Sequence, residues 1–292
     1  MRYRFISENR HLHSVERMCK CIKVSANAYY NWMNNDFTQN KKTDLLKNRI
    51  QEIFDDSNQV YGSAKIQKSL GREGLVYSRS YVSVLMKQMG IRSVLKRKFT
   101  ITTDSNHSYP LAKNELNRDF SSSNLGEKWV SDITYIRVND DWNYLTTIMD
   151  LADRKIVGWS LSEDMTTENT VFKAWKSAIN TRGIQDNFIF HSDRGVQYAS
   201  NKMSSIFSFN RKITQSMSRK GNCWDNAVAE SFFKTIKYEC LLRYKFKSYE
   251  QLYSCINEYL IWYNTKRLHS SLGYLTPLEK EMELRNFIKN VA

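Results

Sequence analysis

The hydrophobic pattern changes period at Trp129, and that change limits the possible folds more than any other feature of the chain. From there WVSDITYIRV, WNYLTTIMDLAD and RKIVGWSLSE alternate with a period near two, whereas earlier segments repeat at helical spacing. The runs are separated by Asn139-Asp140-Asp141 and by Asp153-Arg154, so the spacing predicts a three-strand antiparallel meander. A helix over roughly Thr166 to Arg182, closed by Gly183, comes next. It is followed by a short buried strand Phe188 to His191, a helix Ser200 to Phe209 and a last strand Ile213 to Met217.

Three acids are out of place in this pattern. Asp132 shares one side of its strand with Val130, Thr134, Ile136 and Val138. An unpaired carboxylate there would cost several kcal/mol, so it needs either a buried arginine or a metal ion. Asp140 and Asp141 need no such partner, because they read as turn residues. Asp193 follows a buried strand and precedes Arg194-Gly195, a place where α/β folds bind ligands and where a turn-forming Asp is equally at home. In GNCWDNAVAESFFKTIKYEC, Val228, Ala229, Phe232, Phe233 and Ile236 fall on one helix face, and Glu230, Lys234 and Lys237 on the other. Taken alone this is an amphipathic surface helix with a Glu-to-Lys pair four residues apart. Taken with Asp132 and Asp193, Glu230 completes a three-carboxylate set able to hold divalent metal for phosphoryl transfer on DNA.

The formal net charge of +14 is unevenly placed. Residues 1–98 hold 19 Lys and Arg against 8 Asp and Glu, and the rest of the chain is nearly balanced. A polyanion is the implied partner, with a merely soluble basic domain as the alternative. Residues 14–34 split into two short helical runs, with Ser25 placed to cap the second; they read as a helix-turn-helix or as a plain helical hairpin. Leu45, Leu46, Ile50 and Ile53, then Ala64, Ile66 and Leu70, then Val82, Leu85, Met86 and Met89 give three further stripes, punctuated by Gly62, Gly71, Gly74 and Gly90. In a helix-turn-helix the third helix enters the major groove. Arg79, Ser80, Ser83 and Lys87 are then the readers, backed by a basic tail of Arg92, Lys96, Arg97 and Lys98.

Residues 99–126 are polar and read as a linker with a short helical turn around Leu111 to Phe120; His107 is a solvated residue within it. Tyr249 to Tyr263 forms another amphipathic helix, and Arg267 and His269 beyond it read as phosphate contacts, with a satisfied packing histidine as the equal alternative for His269. Five scattered cysteines, no signal-peptide pattern and no apolar run of membrane-spanning length point to a reducing, cytoplasmic location. His11, His13, Cys19 and Cys21 crowd together, but Cys-x-Cys lacks the reach of a tetrahedral zinc site.

WVSDITYI, FHSDRGVQY, SMSRKGNCWDNAVAESFFKTIKYE and WYNTKRLHSSLGYLTP together closely resemble the integrase-like region of bacterial transposases of the insertion-sequence-three family. The resemblance extends over residues 14–98 and SNHSYPLAKNELNRDF. It implies a ribonuclease-H-like α/β domain, a mixed five-stranded sheet flanked by helices, behind all-α helix-turn-helix modules. The implied division is 1–40 and 41–98 for two helical modules, 99–124 for the linker and 125–285 for the catalytic domain. It implies an acidic triad at Asp132, Asp193 and Glu230, a basic residue at Lys237 assisted by Lys234, and two Mg²⁺ ions, with Mn²⁺ as a substitute. It also implies DNA as substrate, a homo-oligomer on DNA, nucleoid association, and an upstream-frame protein as fusion or partner. The chain departs from the family at two places. Between Asp193 and Glu230 lie 36 residues, one more than usual, with the extra residue expected in 207–212, and Lys23 stands where relatives have a turn glycine. A ribonuclease-H-like nuclease and a non-catalytic DNA-binding regulator are the rival readings.

Overall fold

The computed structural model describes residues 2–94 and 111–291, with the backbone alone at 35–40, 223 and 288–291. The chain divides into two units, Met1–Ser93 and Val94–Ala292. Lys96, Arg97, Lys98 and His107 lie outside the described residues.

In the first unit, α1 (Arg2–Asn9) and α2 (Val15–Cys21) pack against the start of α3 (Ala26–Asp56) around buried Ile6, Met18, Cys19 and Tyr29. Ser25 caps α3 as expected, its hydroxyl accepting the Ala28 N–H at 3.3 Å. Lys23, in the turn before it, has φ of 53°, so the chain keeps the left-handed bend that glycine would favour. The helix beginning near Leu45 is not separate. α3 runs unbroken for 31 residues, because the polar stretch NDFTQNKKTD contains neither Gly nor Pro to stop it, and residues 40 and 41 both lie inside it. Leu46, Ile50 and Ile53 face inward, but Leu45 is exposed and Phe54 takes the inward place. α4 (Ser63–Arg72) and α5 (Arg79–Gln88) complete the unit, with Ile66, Leu70, Val82, Leu85 and Met86 buried between helices. Gly71 sits in the last turn of α4 instead of beyond it, and Gly74, with φ of 78°, makes the turn. Ser78 caps α5 by accepting the Tyr81 N–H at 3.1 Å. Cys19 is buried and Cys21 exposed, which keeps the two thiols from sharing a metal.

The second unit is built on β1 (Lys128–Val138), β2 (Asp141–Asp150), β3 (Ile156–Ser162), β4 (Phe188–Ser192) and β5 (Ile213–Met217), in sheet order β3-β2-β1-β4-β5. The first three strands form the expected meander. Val138 faces Asp141 across a two-residue turn, with Asn139 at φ of 52°. β4 and β5 run parallel to β1, so the sheet is mixed. α6 (Lys173–Thr181) covers one face through Ala174, Trp175 and Ala178, against Trp129, Ile148 and Val157. The preceding turn, Glu168–Phe172, is π-helical, so the predicted single helix is two kinds of helix in series. Gly158 is obligatory at this contact, since a Cβ there would collide with the Ala174 carbonyl and the Ala178 methyl. α7 (Val196–Ala199) and α8 (Asn201–Phe209) follow β4.

The other face carries α9 (Ala227–Glu239) and α10 (Tyr249–Thr265), and α11 (Pro277–Val291) ends the fold. Val130, Ile136 and Val138 pack there with Phe232, Phe233, Ile236, Leu252, Ile256 and Tyr259. Residues 111–120 carry a tight turn closed by the Asp119 N–H on the Leu116 carbonyl, with Asn117 and Arg118 at positive φ, instead of a right-handed helical turn. They lie on this unit, with Leu116 buried and its N–H donated to Ser216 Oγ at 3.0 Å.

Candidate active site

β1 and β4 are parallel neighbours, with Val130 opposite His191. Asp132 lies two residues beyond Val130 on β1 and Asp193 two beyond His191, one past the end of β4, so the paired register brings both acids to the same end of that pairing. β4 ends at Ser192 while β1 continues to Val138. Asp132 is therefore mid-strand on β1, not near its end, yet it lies at the level where its neighbour has stopped. α9 is pinned to the same spot. Asn226, just before the helix, donates from Nδ2 to the Ser131 carbonyl at 3.0 Å, and Glu230 sits in the first turn beyond.

The electrostatics register the convergence. Burial pushes the Asp132 carboxyl well above the usual carboxylate range, and the charges of Asp193 and Glu230 push the same way. The Ile133 N–H, donated to Asp132 Oδ1 at 2.8 Å, and the Lys237 ammonium act against them. Glu230 is raised by burial and by Asp193. Burial lowers Lys237, with Asp132 opposing. Among the described residues no arginine or lysine forms an ion pair with Asp132, which removes the buried-arginine alternative. Asp193 does serve its turn, Oδ1 accepting the Gly195 N–H at 2.9 Å, which is the turn-forming role the sequence allowed. The acids do not close a cage: among the described residues no three His, Cys, Asp or Glu side chains are placed to ligate an ion as a group.

Arg79, Ser80, Ser83 and Lys87 are all exposed on α5, opposite buried Val82, Leu85 and Met86, and Arg92 is exposed just after it. Lys234 is exposed and Lys237 half-buried on α9. One expectation is corrected. Arg267 is buried and grips Glu239 with two bonds, at 2.7 and 2.6 Å, while Tyr259 donates to the same carboxylate at 2.8 Å, so its guanidinium is committed within the fold. His269, half-buried, packs edge-on against Tyr263 and bonds Ser271 Oγ at 2.9 Å, which accords with its packing alternative.

Sequence reading missed several groups around the cleft. Tyr198 is fully buried and shares a 2.8 Å bond with Ser131 Oγ; burial, then Asp132 and Asp193, push its hydroxyl far up. His191 is held between Ser216 and Ser218 at 2.8 and 3.2 Å, and burial lowers it to about 4. Asn226 was visible as an Asn at a helix start. Tyr198 and His191 carried no local signal, because their partners are distant in sequence.

Residues 123–223 and 211–277 match two families described as Integrase core domain, and residues 41–99 match one described as HTH-like domain. The Transposase InsF for insertion sequence IS3A of Escherichia coli (strain K12) is 32% identical over 96% of this chain and 98% of its own. The chain belongs to the IS3-type insertion-sequence transposases. The family comprises DNA transposases of the integrase-core class, polynucleotidyl transferases with a mixed five-stranded catalytic fold. The Insertion element IS600 uncharacterized 31 kDa protein of Shigella sonnei is 37% identical over 89% of this chain and 96% of its own. Among solved structures, the HTLV-2 integrase catalytic core domain in complex with magnesium has a TM-score of 0.42 at 18% identity, covering 53% of this chain and 95% of that one. The catalytic core domain of BIV integrase has a TM-score of 0.43 at 18% identity, covering 56% and 99%.

Proposed function

We propose that Asp132, Asp193 and Glu230 are the catalytic acids of this transposase and hold two divalent ions, Mg²⁺ with Mn²⁺ as substitute. The observation that carries this reading is the desolvated Asp132 carboxylate, which among the described residues has no cation in ion-pair contact, only the Lys237 charge acting from further off, and which feels the charges of two more acids. The donor set fits, being all carboxylate oxygen, the chemistry a hard dication takes. When bound, the ion pair neutralises charge on both the attacking and the departing oxygen of an in-line displacement. Asp132 would contribute to holding both ions, Asp193 to one and Glu230 to the other. Lys237 holds the phosphate backbone against the cleft, with Lys234 one turn earlier assisting. The protein's own contribution is rigidity: β1, β4 and the Asn226 anchor fix three acids before substrate arrives.

In this scheme water cleaves the strand at the element end, and the freed 3′-hydroxyl attacks target DNA. α5 reads the ends through Arg79, Ser80, Ser83 and Lys87, with Arg92 and the basic residues Lys96, Arg97 and Lys98 on the backbone. The protein acts as a homo-oligomer on DNA in the bacterial cytoplasm, alone or joined to an upstream-frame product. No helix among the described residues is long and apolar enough to cross a membrane. The test offers purified protein an oligonucleotide duplex carrying candidate element ends with Mg²⁺ or Mn²⁺ and scores nicked and joined strands. Glu230→Gln abolishes both products and leaves DNA binding near wild type. Nicking without joining would point to a nuclease, and products that persist in Asp132→Asn would sink the assignment.

A further inference from the structure

Trp224 is 68% exposed, six residues before Glu230, in a segment that has every means of holding still. Its neighbour Asp225 is fully buried, and its two carboxylate oxygens accept four bonds. These come from the Arg118 Nε at 2.8 Å, the Arg219 N–H at 2.9 Å, and the Arg219 Nε and Nη2, both at 2.8 Å. Arg118 also donates to Asn222 at 3.0 Å, and Asn226, the residue after Asp225, is fastened to the Ser131 carbonyl. The arginines hold Asp225 well in its ionised form. The loop is thus clamped on both sides of the indole, while the indole itself faces water. Single exposed apolar residues are ordinary, but a tryptophan held out next to buried Asp225 and its two arginines, beside the candidate acids, is not accounted for by packing. Lys220 is exposed in the same loop, four residues before the indole, so the loop offers both a flat π surface and a cation.

We infer that Trp224 is a stacking platform for an unpaired nucleobase at the DNA end, with Lys220 on the adjoining phosphate. The inference rests on the proposed catalytic site and deepens it. Asp132 lies within the sheet, under α9, so a phosphodiester reaches it only if its strand leaves the duplex near the cut. A base freed from its partner regains an aromatic face on Trp224, as single strands do on aromatic grooves. A second protein chain would also cover an exposed indole, but the basic neighbours favour nucleic acid.

The probe is a duplex oligonucleotide with a two-nucleotide unpaired end bearing 2-aminopurine, compared with the same duplex fully paired. With full-length protein, binding changes the 2-aminopurine fluorescence of the unpaired end. Trp224→Ala removes the change and weakens binding of that duplex about five-fold or more, while binding of the paired duplex stays within two-fold. Trp224→Phe restores most of the signal, and thermal midpoints of both variants match the parent. An unaltered signal in Trp224→Ala overturns the inference, and so does an unaltered signal accompanied by a loss of oligomer mass in sedimentation, which would make the indole a subunit contact. Glu230→Gln keeps the signal while inactive. A protein that shows the signal but never cleaves would therefore sink the catalytic reading and leave the stacking site standing.

Discussion

At the scale of single residues, two buried titratable groups near the cleft pull stability in opposite directions with pH. Asp132 has a carboxyl raised well above its unfolded value, so its contribution is fully favourable below that value and is lost as pH climbs through the folded one. In chelator-treated protein, Asp132→Asn therefore raises stability at pH 7 by about 1–3 kcal/mol, and abolishes the further gain that added Mg²⁺ gives the parent. His191, lowered to about 4 by burial, behaves the other way: its neutral ring is favoured above the unfolded value near 6.5, and that stability drains away as pH falls towards 4. His191→Gln flattens the acid limb by up to about 3 kcal/mol in chemical denaturation at pH 4.5 against pH 7. Asp132 was legible in the sequence because an acid in an apolar alternation has no ordinary reason to be there. His191 was not, because an apolar strand hides one polar residue whose partners arrive from β5 and the residue just beyond it.

At the scale of elements, the strands were readable because alternation is local, and α10 because its stripe of Leu252, Ile256, Tyr259, Leu260 and Tyr263 is wholly buried. What failed was anything decided by absence or by distant contact. Nothing in NDFTQNKKTD announces a helix, yet nothing ends one either, and α3 runs through it. Arg267 looked like a surface cation among serines because Glu239, which it pairs with, lies 28 residues away. Removing one member of such a buried pair strands the other, so Arg267→Ala costs about 3–5 kcal/mol in urea unfolding, while DNA affinity at a temperature where the variant stays folded is unchanged. A phosphate-binding role would instead lower affinity and spare the fold. The turn before α3 gives an opposite case. Lys23 holds φ of 53°, and Lys23→Gly stabilises the first unit by about 0.5–1 kcal/mol if relief of left-handed strain outweighs the greater freedom of the unfolded glycine. A thermal midpoint that falls would show that the lysine side chain contributes more than the strain costs.

At the scale of the whole molecule, charge and chemistry are segregated along the chain. The basic excess lies in residues 1–98, where among the described residues no acid is buried against another, and the three candidate acids lie in residues 99–292, whose charges nearly cancel. On the proposed reading, a surface that binds a polyanion through released counterions and acids that hold dications have opposite electrostatic needs, and placing them in separate units lets each be tuned alone. The two functions should therefore separate under salt. Each phosphate contact removed from α5 lowers the slope of log K against log salt by about one, so the Arg79→Ala, Lys87→Ala double variant loses about two units of slope. At low salt and high protein concentration, where binding is restored by mass action, the double variant still cleaves with the parent's Mg²⁺ dependence. Glu230→Gln shows the converse, with the parent's slope and no products. If the α5 variant kept its slope, the readers would lie elsewhere in the basic third of the chain. If Glu230→Gln lost slope, the acid would be shaping the DNA-binding surface, and the separation of roles would fail.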